Sequence, residues 1–186
     1  MKRTRTLQIT FTALFAAIIA VLTIIPLPFN FLGVPMTLQT FAVAFCGFMI
    51  GWKLGLGAVG IYIFMGAVGI PVFSDLQGGF QKLIGPTGGF LYGFLIMVFF
   101  CGLSFHFQQH ILRWVFGILL GVVGLLFCHL CGVLQLAAVN EISVWAAIRG
   151  ASLPFLPKDI VSVALAYAIS LFVRRRLPFD PVTLKE

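Results

Sequence analysis

Six stretches of the chain are almost continuously apolar, at about 8–25, 37–51, 54–70, 88–105, 111–132 and 157–173, and polar residues gather between them. Within these stretches hydrophobic and polar residues do not alternate, as the strands of a membrane barrel would require. A spanning helix needs roughly 20 mostly apolar residues, so the pattern predicts an all-α polytopic membrane protein of six transmembrane helices. The junction between the second and third, "GWKLG" at 51–55, is very tight, and both flanking helices are short. Before the fourth, the stretch "GPTGGFLYGF" at 85–94 runs from a polar turn into one of the most apolar parts of the chain. Gly and Pro punctuate such a turn, and Thr87 stands where a helix N-cap is expected.

Composition supports membrane insertion. Of 186 residues, 61% are hydrophobic, 21 are Phe and only 9% are charged, too little charge to cover a water-soluble surface. The net charge of +7 raises the question of nucleic acid, but its distribution reports orientation instead. With the N-terminus inside, Lys2, Arg3, Arg5, Lys53, Arg113, Arg174, Arg175, Arg176 and Lys185 fall on one side, against Lys82, Arg149 and Lys158 on the other. That is the positive-inside bias of a multi-pass cytoplasmic-membrane protein with both termini cytoplasmic. The basic start and apolar core of "MKRTRTLQITFTALFAAIIAVLTIIPLPF" resemble a signal peptide, but no A-x-A site follows, so it reads as a retained first helix. The expectation is a single membrane domain over 1–186, without a soluble domain or a phosphate-binding loop of the G-x-x-x-x-G-K-S/T type.

The inner side offers little chemistry. His106 and His110 are four apart, a spacing that can place two imidazoles on one helical face, but no third ligand lies nearby and no metal site is expected. Ala13 and Ala17, like Ala16 and Ala20, are four apart and form a small-residue strip that lets another helix approach closely, either one of this chain or one of another subunit. Cys46 and Cys101 read as small buried hydrophobes. Cys128 and Cys131, in "FCHLCG", have the spacing of a redox pair and leave open a membrane thiol–disulfide oxidoreductase, although such an enzyme would need a second cysteine pair outside.

The unusual residues collect in the outer loops at 26–41, 70–90 and 132–160. "NEISVWAAIRG" is expected to form a short interfacial helix with Trp145 as its anchor. Asp159 begins the last apolar run, after Pro157. It can complement the helix dipole. With Lys158 and Gln39 at similar depth it can also contribute to a pocket, and charged groups at membrane depth tend to be functional. Phe73, Phe80, Phe90 and Tyr92 would supply walls, giving an outward-facing pocket for a small amphipathic solute.

"TLQTFAVAFCGFMIGWKLG", "GIPVF", "GPTGGFLYGF" and "LPFLPKDI" occur in the order and spacing of BioY proteins, the biotin-specific substrate-binding (S) components of energy-coupling-factor (ECF) transporters. The resemblance covers about 150 residues, from the first helix to the start of the sixth. It implies the ECF S-component fold and high-affinity capture of biotin at the outer face, with uptake energised by a separate transmembrane coupling protein and two ATPases. It further implies no enzymatic activity, no cofactor and no nucleic-acid partner. The turn with Gly85, Thr87, Gly88 and Gly89 resembles the family's substrate loop, where glycine permits close backbone approach. Together with Gln39, Phe73, Asp75, Tyr92, Lys158 and Asp159 it makes up the expected substrate-binding set. Ala13 and Ala17 resemble the A-x-x-x-A surface by which S components dock on the coupling protein. One departure stands out: the family's "P-G-D-L-I-K" is here "PKDIVS", so the acid is kept at Asp159 while Ser162 occupies the usual lysine position. The cation for the biotin carboxylate must then be Lys158 or Lys82, and an S component for a different vitamin stays open.

Overall fold

The computed structural model describes the backbone of residues 2–31, 34–104 and 110–177, and the side chains of 5–25, 36–104 and 114–177 within them. The His106/His110 pair lies outside the described side chains, as do Lys2, Arg3, Arg113 and Lys185. The order is α1 (Lys2–Ile24), β1 (Pro26–Phe31), β2 (Val34–Thr37), α2 (Gln39–Ala67), a 3-10 turn (Ser74–Leu76), α3 (Gln81–Ile84), α4 (Gly88–Leu103), α5 (His110–Val139), α6 (Val144–Ala151) and α7 (Leu156–Arg176).

Although α2 has unbroken helical pairing, it is two helices. Gly51 has φ 76° and ψ 173°, a left-handed backbone that only glycine adopts without strain. The chain doubles back there. The Gln39 side chain donates to the Tyr62 hydroxyl at 2.7 Å, whereas 23 residues of straight helix would separate the two by about 35 Å. The segments 39–50 and 52–67 are therefore the second and third predicted spans, folded antiparallel. With α1, α4, α5 and α7 they complete six crossing segments. Four helices, α2 taken whole among them, are long and apolar enough to cross a membrane, and α4 is a shorter apolar helix. Large apolar side chains such as Ile9, Val21, Phe64, Leu119 and Phe172 point outward, the expected direction when lipid is the solvent.

The core runs along the bundle through Phe48, Tyr62, Met97, Leu125 and Tyr167, all fully buried. On α1, Ala16 and Ala20 are buried in it, while Ala13 and Ala17 are exposed on the opposite face. The two alanine pairs thus serve different surfaces. At one end of the bundle lie the Gly51 reversal and the basic end of α7, where Arg174 donates to the Phe48 carbonyl at 3.4 Å. At the other lie the hairpin, α3 and α6.

Three expectations are revised there. The first outer loop contains an antiparallel hairpin, with Pro26 opposite Thr37 and Phe31 opposite Val34, so the fold is all-α with one two-stranded addition. The fifth helix runs on to Val139, which makes Gln135 helical. Thr87 occupies the N-cap position of α4, but its side chain makes no capping hydrogen bond. The interfacial helix is present as α6, with the Ser143 hydroxyl accepting from the Ala146 N–H and Trp145 largely exposed.

Candidate ligand-binding site

The start of α7 places Asp159 inside the bundle. Pro157 fits the first helical turn, where no N–H partner is needed, and the next turn directs Asp159 inward until only 4% of it is exposed. A carboxylate at that depth is costly unless paired. Two neighbours pair it. Lys158 Nζ lies 2.6 Å from Asp159 Oδ1, and His129 Nε2, on α5, lies 3.2 Å from Oδ2. Lys158 also donates to the Thr37 carbonyl at 2.9 Å, tying the start of α7 to the end of β2. The other ring nitrogen of His129 is 3.0 Å from the Ser152 hydroxyl. A proton on Nε2 donating to Asp159, with Nδ1 accepting from Ser152, satisfies all three groups at once.

The two contacts of Asp159 are not equivalent. Neighbours on a helix do not face each other, so the Lys158 stem folds back to reach Oδ1. The result is a close ion pair in which the Lys158 ammonium holds the buried Oδ1. A carboxylate oxygen has two lone pairs, so Oδ1 can accept from one further donor beside Lys158.

Asp159 lines a cavity of about 170 Å³ near this end of the bundle. One water needs about 10–15 Å³ on that measure, so the space suits a small organic molecule. The hydrogen-bonding lining includes Gln39, Asp75, Lys82, His129, Lys158 and Asp159, and Phe73, Phe90, Phe94 and Phe155 supply aromatic walls. Several of these are held from behind. Tyr62 orients Gln39 and packs edge-on against Phe73 at 5.6 Å. His129 is itself part of the lining, its ring edge-on to Phe90 at 5.9 Å.

Of the predicted residues, Gln39, Phe73, Asp75, Thr87, Lys158 and Asp159 come together on this wall, as do Lys82 and Phe90. Asp75 is itself exposed. Tyr92 and Phe80 are exposed and do not line the cavity. Ser162, at the position where a lysine was looked for, is buried away from it. Gly85, Gly88 and Gly89 are not on the wall either. A packing reason for glycine is visible at two of them. A Cβ on Gly88 would collide with the Leu83 carbonyl, and one on Gly89 with the Cys131 carbonyl. Into the space so kept, Gln135 donates to the carbonyls of Leu83 at 2.8 Å and Gly85 at 2.7 Å. The motif thus lets α4 and the α3 turn press against α5 and fixes the frame on which Lys82 and Thr87 sit.

Sequence reasoning passed over His129, Ser152, Tyr62 and Gln135. His129 carried a readable signal, an ionisable residue within a span, but it lies between the two cysteines and the C-x-x-C spacing drew the interpretation. Cys128 is buried, its thiol donating to the Phe90 carbonyl at 3.6 Å.

Six crossing segments around a polar and aromatic cavity near one end define a multi-pass membrane protein built to hold a small solute. Residues 1–179 match the BioY family model, and the chain belongs to the BioY family. It is 35% identical over 169 residues to the "Biotin transporter BioY" of Thermotoga maritima, covering 90% of this chain and 96% of the relative. It is 37% identical over 163 residues to a "Probable biotin transporter BioY" of Pyrococcus horikoshii, covering 88% and 93%. Among solved structures, the S-component for biotin from an ECF-type ABC transporter superposes with a TM-score of 0.86 over 97% of both chains, at 24% identity. That likeness establishes the fold.

Proposed function

We propose that this chain is the S component of an ECF-type transporter: it captures biotin in the Asp159 cavity and takes part in its uptake. The single observation that carries the reading is the buried, ion-paired Asp159 on an aromatic-walled cavity, in a chain whose relatives are named biotin transporters. Biotin carries a ureido ring with two N–H donors, an apolar bicyclic body and a carboxylate tail. Asp159 suits the donors, through charge-assisted hydrogen bonds that are stronger than neutral ones. Phe73, Phe90 and Phe155 suit the body.

The chain is a transport subunit and not an enzyme. The cavity end faces outward and both termini lie in the cytoplasm, as the distribution of Lys and Arg supports. A transmembrane coupling protein and two ATPases energise uptake, with the exposed Ala13 and Ala17 as the docking strip. Titration of the purified protein with biotin and a panel of other vitamins tests this reading. Sub-micromolar binding of biotin is expected, which is roughly 8 kcal/mol or more. Binding of a different vitamin with none of biotin would overturn it in favour of another substrate.

A further inference from the structure

Two lysines line the cavity, and they are not equally available. Lys158 is committed to Asp159 Oδ1 at 2.6 Å and to the Thr37 carbonyl at 2.9 Å. Lys82 also lines the cavity, part-buried, and among the described residues its ammonium has neither a hydrogen bond nor an ion pair, the backbone N–H alone donating, to the Gly79 carbonyl at 3.1 Å. Its backbone is well placed for a fixed role. It sits on α3, and Gln135 holds the carbonyls of the next residue, Leu83, and of Gly85. The Phe80 carbonyl accepts from the Leu83 N–H at 3.0 Å, closing the turn around it.

The acids nearby do not neutralise Lys82. Asp159 is ion-paired with Lys158 and bonded to His129. Asp75 shares the wall but is exposed, forms no ion pair with Lys82 among the described residues, and is screened by water. Thr87, also on the wall, offers a neutral hydroxyl whose capping role at α4 is unused.

We propose that Lys82 is the residue that reads the carboxylate of the ligand, so that the solute lies across the cavity with its donor-bearing ring at Asp159 and its acid group at α3. This rests on biotin as the ligand. It also accounts for Ser162: with Lys158 turned back onto Asp159 and no lysine one turn further on, the cation for the tail comes from a different element.

The test compares biotin with its uncharged methyl ester, using the full chain purified in detergent. The native protein should bind the acid about 10- to 100-fold more tightly than the ester, the range expected of one charge-assisted bond. Lys82→Gln should lose that preference by weakening biotin by the same factor, with ester affinity within about twofold of native. Lys82→Arg should restore most of it. A Lys82→Gln protein that keeps the full preference for the acid overturns the assignment while leaving biotin capture intact. Equal weakening of both ligands also overturns it, because the lysine then acts only on the shape of the loop. A native protein that binds neither compound overturns the biotin reading itself and this assignment with it.

Discussion

Replacing Asp159 by asparagine keeps the shape of the side chain and removes its charge. Its surroundings determine the cost. On the His129 side the loss can be repaired: with the amide nitrogen turned toward Nε2, the imidazole moves its proton to Nδ1 and donates to Ser152, 3.0 Å away. The amide oxygen then takes the place of Oδ1, near Lys158 and the cavity. A ligand N–H bonded there falls from a charge-assisted bond of about 1.5–3 kcal/mol to a neutral one of about 0.5–1.5. One or two such bonds amount to about 1–3 kcal/mol, a roughly 5- to 150-fold rise in Kd. The unliganded protein pays separately, because Lys158 loses its counter-charge. With 22% of that side chain exposed and the Thr37 carbonyl still accepting from it, the cost falls between the ~1 kcal/mol of a surface pair and the ~3–5 of a fully buried one. Calorimetric titration with biotin measures the first quantity and melting without ligand the second. A Kd within twofold of native at full binding capacity would refute the reasoning, since Asp159 would then stabilise the helix start without touching the ligand.

Gly89→Val should lower the melting temperature and the yield of inserted protein, because its side chain meets the Cys131 carbonyl across the α4–α5 contact and overpacking costs about 1–3 kcal/mol. Normal melting combined with weakened biotin binding would return the glycine to ligand contact. Ala13→Trp, on the exposed face of α1, should leave biotin binding by the isolated chain within about twofold of native. It should sharply reduce both energised uptake and co-purification with the coupling protein, and full uptake would remove the strip from docking. Cys131→Ser should leave uptake unchanged, whereas an oxidoreductase built on Cys128 and Cys131 would lose all activity.

The spans were legible because the cost of leaving backbone groups unpaired in hydrocarbon writes itself into long apolar runs. Even the Gly51 reversal could be read, as a tight junction between two short helices. The β1–β2 hairpin could not: "PLPFNFLGVPM" carries three prolines and no polar/apolar alternation to mark paired strands. At the site, Asp159 and Gln39 were legible as polar groups at the edge of apolar runs, and Phe73 and Thr87 through the family motifs. Tyr92 was misplaced because an aromatic at a helix start carries no mark of which way it faces. The glycines of "GPTGG" announced a close approach, but only the packed structure says that the approaching groups are the carbonyls of Leu83 and Cys131. The pairing of Asp159 with His129 spans 30 residues and two helices, and no local pattern encodes it.

The doubled-back α2 has a consequence for the surrounding lipid. At about 1.5 Å per residue, 39–50 rises about 18 Å and 52–67 about 24 Å, while the hydrocarbon core of a bilayer is about 30 Å thick. The 30-residue α5 rises about 45 Å. Short segments draw the bilayer thinner around them and long ones must tilt, at a fraction of a kcal/mol per Å of disagreement. Near the Gly51 reversal the exposed Lys53, its ammonium 5.6 Å from the Trp52 ring, can extend its charge to the lipid headgroups that dip to meet it. Segment 39–50 is almost wholly buried, so protein covers the shorter arm and lipid meets the mismatch along the partly exposed 52–67, where a thinner bilayer is expected, while α5 is accommodated by tilt.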